Sequence, residues 1–313
     1  MILGSVSSIA LFNFLEEYLH EDHGDYSRHC VLMQPSRPDP TIELTLMQTK
    51  YSSCVFYLEG NPLDPQDLKR CQIENAKAVI IFSDKLSFDA HKEDTHTILQ
   101  AMVIKNQASQ LNQESSSEDG AGQEKSSSQP KTTQVCMQLL KPESITHYEL
   151  SLSKEEIKND QIICIESLKL SLLAKSCLCP GLVALITNLI KSSKEPPDEL
   201  TELLEKNESS EKNWRWLFDY WSGKEYELYR IEIPGTFANQ QFNNIAKQVY
   251  KETGFVLFAL EIVVGDNVNG EILLNPGEQR LPKPSNQNGN FLKYTYFGYI
   301  IAPDKDEAEN IFT

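Results

Sequence analysis

Positive charge is scarce in this chain: 29 lysines and arginines stand against 45 aspartates and glutamates, a formal net charge of −16 over 313 residues. A surface that binds nucleic acid or anionic lipid needs clustered cations, so neither is an expected partner. Cys-x-x-Cys is missing, although there are seven cysteines: Cys30, Cys54, Cys71, Cys136, Cys164, Cys177 and Cys179. That argues against a zinc ribbon or a dithiol redox centre. The odd number, with no signal peptide or hydrophobic anchor ahead of the first fold element, points to a reducing compartment, the cytoplasm. Catalytic signatures are lacking too, with no G-x-S-x-G, no P-loop and no H-E-x-x-H. The chain is not expected to be an enzyme.

Glycine is short at the one turn where a nucleotide would need it. After a first strand at Ile2-Leu3, the turn reads Gly4-Ser5-Val6-Ser7-Ser8-Ile9, one glycine where the dinucleotide fingerprint has three. The next strand, Cys30–Met33, leads to Gln34 rather than to an acid for a ribose. No nucleotide cofactor is expected. Also lacking is an unbroken apolar run able to span a bilayer. The longest candidate, Gln161–Ser193, holds Lys169 and Lys175 and is broken at Pro180-Gly181; lysines at the centre of a span are costly. Leu168, Leu172 and Leu173 before the break, and Leu182, Leu185, Ile186 and Leu189 after it, repeat at helical spacing. This predicts two helices joined at Pro-Gly, with an apolar face that packs in a core or an interface.

What is present is ample apolar material, 40% of residues, and enough length for two globular units. Strand-like and helix-like patterns alternate: Ile2-Leu3, a helix through Ile9, Phe12, Leu15 and Leu19, Cys30–Met33, helical Thr41–Gln48, Ser53–Leu58, a short helix at Asp64–Cys71 capped by Asp64, Ala78–Phe82, helical Ile98–Lys105 and Val135–Leu140. Such βα alternation predicts an α/β fold with a Rossmann-like, doubly wound parallel sheet. The stretch from about 107 to 133, rich in Ser, Gln, Glu and Gly, has no apolar periodicity and reads as a disordered insertion. A smaller α/β lobe follows, with strands at Leu228–Ile233, Phe255–Val264, Glu271–Leu274 and Phe297–Ala302 and a helix at Phe242–Glu252. The domain plan is therefore 1–160, a crossover helix pair at 161–193, a linker at 194–227 holding a helix candidate at Asp198–Lys206, and a C-terminal lobe at 228–313.

Two acidic clusters stand out. His20 and His23 share a segment with Glu16, Glu17, Glu21, Asp22 and Asp25; that density of hard oxygen ligands suits Ca²⁺ better than zinc, with a solvated acidic helix end as the alternative. Asp89, Glu93 and Asp94 read as charges complementing a helix N-terminus.

Several blocks in order resemble the first RCK (regulator of K⁺ conductance) domain of the Slo/BK Ca²⁺-activated potassium channels. They are FLEEYLHEDHGD, YLEGNPLDPQDLKRCQIENAKAVIIFSDK, EDTHTILQAMVIKN, IESLKLSLLAKSCLCPGLVALITNLIKSS, ILLNPGE and YFGYIIAPDKDEAENIF. The resemblance implies a Rossmann-like lobe, a crossover helix pair that contacts neighbouring lobes, and a small C-terminal lobe, several of which build a cytosolic gating ring. It implies a Ca²⁺ site that pairs Asp22 with Glu227, with Glu17 as a second acid of the helix and Glu225 where the family uses a main-chain carbonyl. The family's Mg²⁺ positions fall on His29 and Phe56, and phenylalanine cannot ligate Mg²⁺. The chain begins at Met1 just ahead of the first strand, without pore helices, and ends after one RCK unit. The leading expectation is a non-enzymatic regulatory module whose helix pair meets other RCK lobes or a pore subunit. The alternative is a free-standing scaffold protein that reuses the fold in a larger, cytoskeletal assembly.

Overall fold

A computed structural model of the chain describes residues 1–4, 6–23, 28–118, 133–192, 215–265, 270–287 and 290–312. The chain divides into two compact units, Met1–Glu16 with Ser27–Leu178, and Glu17–Tyr26 with Cys179–Thr313. The Asp198–Lys206 helix candidate, Trp214 and residues 119–132 of the insertion lie outside the described residues.

In the first unit β1 (Ile2–Gly4) leads into α1 (Ser8–Tyr18), then β2 (Cys30–Gln34), α2 (Pro40–Leu46), α3 (Thr49–Ser52), β3 (Val55–Glu59), α4 (Pro65–Arg70), β4 (Ala78–Phe82) and α5 (Ala90–Glu118). There follow β5 (Gln134–Leu139), α6 (Pro142–Ser151), α7 (Lys154–Ile157), β6 (Gln161–Cys164) and α8 (Ile165–Leu178). The six strands pair in parallel in the order β3-β2-β1-β4-β5-β6. This is the doubly wound sheet expected from the alternation, with its switch of direction between β1 and β4. Both strands there are continuous apolar runs because both faces of a parallel sheet are covered; Leu3, Val79 and Ile81 are fully buried. Gly4 sits at this switch with φ +94°, where a β-carbon would overlap the Phe82 carbonyl oxygen. The glycine therefore serves the close approach of two strands.

Two elements, α5 and β6, depart from the sequence reading. Asp64 caps α4 as expected, its carboxylate accepting from the Gln66 N–H at 2.9 Å, and the helix expected over Thr41–Gln48 is α2, with the separate short helix α3 after it. α5 runs past the expected start of the insertion to Glu118, because Ala101, Ile104, Ala108 and Leu111 keep one apolar stripe buried in the core. The first four residues of the apolar run Gln161–Ser193 form the edge strand β6 rather than helix. Strands and buried helices share short apolar runs, so periodicity alone could not separate them.

In the second unit α9 (Leu182–Ile190) and α10 (Arg215–Lys224) precede β7 (Glu227–Ile233), α11 (Phe242–Thr253), β8 (Val256–Val264), β9 (Glu271–Leu274), the hairpin β10 (Ser285–Gln287) and β11 (Asn290–Leu292), β12 (Tyr294–Ala302) and α12 (Lys305–Glu309). Four strands pair antiparallel in the order β7-β12-β8-β9. β7 alternates buried and exposed residues along its whole length, as a sheet with one covered face requires. The cover is α11, whose Phe242, Ile245 and Val249 are buried against the sheet core.

α8 and α9 are helical on either side of the Pro180-Gly181 break, where Gly181 takes φ +89°. Neither helix has a buried residue. The core version of that expectation is thus corrected: Leu168, Leu170, Leu173, Leu178, Leu185 and Ile190 are all more than half exposed.

Candidate metal centre

Three ligand-type side chains converge in the second unit. Glu17 lies at the end of α1, His23 in a 3-10 turn over Glu21–His23, and Glu227 at the start of β7. One donor atom from each lies within 4.8 Å of those of the other two. The His23 Nε2 is 3.5 Å from the Glu17 Oε1. Ser192, buried just beyond α9, fixes this pair from a distant part of the sequence. Its hydroxyl donates to the Glu17 Oε1 at 2.9 Å and lies 3.3 Å from the His23 Nε2. Its backbone N–H donates to the same carboxylate, at 3.1 Å to Oε2. Tyr229, two residues along β7, stacks edge-on to the His23 ring at 6.4 Å and reaches the Glu227 Oε2 at 3.4 Å.

Glu227 is the unusual member. Only 3% of it is exposed, and its Oε1 has no hydrogen-bond donor. Burial is the main influence on its carboxyl and pushes the pKa up; the charges of Glu17 and Asp22 act in the same direction, while the Ser192 hydroxyl and His23 oppose them. A buried carboxylate in this setting calls for a proton or a cation.

Of the four expected ligands, two come together. Glu17 and Glu227 are in the cluster. Asp22 is close enough to act on Glu227 electrostatically, but its carboxylate is turned to the His20 Nδ1 at 3.1 Å. Glu225 precedes β7 and is exposed, outside the cluster. His23, named with the acidic segment but not among the four expected ligands, is the third member of the cluster. Ser192 left no local signal at all. His29 and Phe56, where the resemblance puts Mg²⁺ ligands, stack their rings at 6.1 Å.

The other acidic cluster is structural. Asp94 is buried and accepts from the Leu140 and Lys141 N–H groups at 2.8 and 2.9 Å and from the Ser144 hydroxyl at 2.6 Å. Asp94 thus serves the N-terminus of the next helix, α6, while Asp89 and Glu93 lie at the start of α5 as expected, Asp89 accepting from the Lys92 N–H at 3.1 Å.

A cleft of about 710 Å³ opens in the first unit at the switch point of the sheet, lined among others by Gly4, Ser7, Gln34, Arg37, Asp84 and His96. Gln34 is already engaged there, donating to the Gly4 carbonyl at 3.5 Å and accepting from the Tyr57 hydroxyl at 3.2 Å. Cations and carboxylates are mixed along its wall, which favours no one charge of ligand. Among the described residues no helix is long and apolar enough to cross a membrane.

Comparison with known proteins gives the family setting. Residues 1–116 match the family model of the calcium-activated potassium channel slowpoke-like RCK domain, and residues 160–260 match that of the calcium-activated BK potassium channel alpha subunit. The chain is 25% identical over 317 residues to the calcium-activated potassium channel slo-1 of Caenorhabditis elegans, covering 100% of this chain and 23% of that protein. To the Drosophila melanogaster channel slowpoke it is 24% identical, over 99% of this chain and 22% of that one. It thus spans under a quarter of those channels' length. Potassium channel subfamily T member 1 of Rattus norvegicus is 26% identical over 90% of this chain and 19% of its own. The human SLO3 gating ring superposes with a TM-score of 0.63 at 18% identity, over 99% of this chain and 45% of that one.

Proposed function

From the match of residues 1–116 to the slowpoke-like RCK domain model, we infer a regulatory module: one lobe of a cytosolic gating assembly, set by a divalent cation held at Glu17, His23 and Glu227. The relatives are named as potassium channels. The observation that carries the reading is that the similarity to Slo channels runs through both units, over the whole of this chain.

Two structural features support it. α8 in the first unit and α9 in the second each present apolar side chains left exposed among the described residues, with Leu173 54% and Leu185 57% exposed. A face of that kind is an interaction site in a folded protein, and other RCK lobes or a pore subunit would cover it. Calcium is the cation named for the slo-1 and slowpoke relatives, and it enters here as the family's expectation. Glu17 and Glu227 fit a divalent ion, whereas Asp22 and Glu225 are not gathered to the same point. When bound, such an ion would neutralise the two carboxylates. It shifts an equilibrium between lobe arrangements only if it binds one of them better. The scaffold alternative draws no support from the relatives described above.

Light scattering of the full chain tests the assembly. A mass above that of one chain is expected at high concentration, reverting to the monomer in Leu173→Glu with Leu185→Glu while the melting temperature holds. A monomer at every concentration, with or without divalent cation, sinks the reading.

A further inference from the structure

The donor set at Glu17, His23 and Glu227 differs from what a calcium site offers. Calcium takes six to eight oxygen ligands at about 2.3–2.6 Å. The cluster supplies two carboxylates, one imidazole and the Ser192 hydroxyl beside them. Four donors including an imidazole nitrogen is the complement of a smaller, softer divalent ion, which binds nitrogen and oxygen at about 2.0–2.2 Å. Charge agrees, since a divalent cation balances the two carboxylates. The second, independent sign of a ligand is Glu227, buried at 3% exposure with its Oε1 unmatched by any donor.

The packing around the site is that of a supported centre. Ser192 holds the Glu17 carboxylate with both its backbone N–H and its hydroxyl, and Tyr229 lies against the His23 ring and reaches the other Glu227 oxygen. Contacts of this type fix the rotamers of metal ligands before the ion arrives. The two oxygen ligands and the imidazole come from segments more than two hundred residues apart in sequence, near the ends of α1 and at the start of β7. An ion held there ties those segments together.

We propose that Glu17, His23 and Glu227 form a binding site for a zinc-class divalent transition ion, with calcium the weaker ligand. This rests on the divalent-cation reading above and names the ion class at that site.

Titration calorimetry of the full chain with Zn²⁺ and, separately, Ca²⁺ tests it. One Zn²⁺ is expected to bind in this site, at least tenfold more tightly than Ca²⁺. His23→Gln and Glu17→Gln should each weaken Zn²⁺ at least tenfold. His23 and Glu17 are partly exposed, so both variants are expected to fold, and a melting curve without metal checks this. Co²⁺ absorption separates this site from the seven cysteines: ligand-field bands without thiolate charge transfer, lost in His23→Gln, are expected. Thiolate bands, Zn²⁺ affinity unchanged in both variants, or no Zn²⁺ binding at all would overturn the proposal. So would Ca²⁺ binding more tightly than Zn²⁺ with no effect of His23→Gln, although that result would leave the regulatory reading standing. Failure of the regulatory reading is seen separately, in the assembly measurement.

Discussion

At the level of single residues, the buried charges are the ones that decide something. The Lys105 Nζ is 2.7 Å from the Asp160 Oδ2, at side-chain exposures of 8% and 1%. Asp160 also accepts from the Val135 N–H at 3.0 Å and the Tyr148 hydroxyl at 2.7 Å, and Lys105 donates to the Glu156 carbonyl. Removing one partner leaves the other charged and buried, so Lys105→Ala should cost about 3–5 kcal/mol in urea unfolding. In the second unit Glu261 is 1% exposed. Burial would raise its carboxyl, but hydrogen bonds from Arg230, the Gly270 N–H and the Tyr299 hydroxyl together hold it below the ordinary range. A carboxyl lowered in the folded state adds stability above its unfolded pKa of about 4.3 and loses it as pH falls through the folded value. The wild type should therefore lose stability below about pH 4.3 more steeply than Glu261→Gln. Denaturant midpoints across that range check it; parallel curves would count against the network. None of these partners was legible beforehand, because Lys105 with Asp160 and Arg230 with Glu261 lie far apart in sequence and burial selects them. Asp22 taught the same lesson from the other side. Its place beside a helix end was readable, while the turn of its carboxylate toward His20 was decided by the neighbours.

At the level of elements, local rules carried further. Asp64 ahead of Pro65 was readable as a cap, and the structure shows the bond to the Gln66 N–H. Asp64→Ala should lower stability by about 1 kcal/mol, read as a shift in denaturant midpoint at unchanged slope. The apolar strands β1, β2 and β4 were legible because a parallel sheet buries both faces of its strands and so leaves continuous apolar runs. β6 and α6 were not. β6 shares its apolar character with the helix that follows it without a break at Ile165. α6 has a mixed sequence and gains its N-terminal partner, Asp94, from α5. Asp94→Ala is expected to destabilise the first unit by about 3 kcal/mol, since two N–H groups and a hydroxyl lose one acceptor. Hydrogen exchange should show α6 opening first. The composition of residues 107–118 pointed to disorder, but four small or apolar residues at helical spacing were enough to keep α5 going.

For the molecule as a whole, the consequential surface is the one that composition first suggested as a membrane anchor. Lys169, Lys175 and the Pro180-Gly181 break turned that run into two helices, and the structure leaves their leucines in water. Area buried elsewhere would recover on the order of 25 cal/mol per Å², which gives these helices a strong reason to find a partner. Amide exchange in α8 and α9 should slow as the chain is concentrated, while exchange in β12 stays constant. Uniform exchange across concentrations would argue that the face stays bare.

The division of the chain has a practical consequence for anyone who wishes to take the molecule apart. Residues Glu17–Tyr26 count with the second unit, although the sequence on either side of them counts with the first. The polypeptide passes from one unit to the other three times, after Glu16, after Tyr26 and after Leu178. No single scission separates two intact halves: a protease nick near Leu178 leaves Glu17 and His23 on one fragment and Glu227 on the other. The Ser192 hydroxyl would then reach across the cut to Glu17, both residues counting with the second unit.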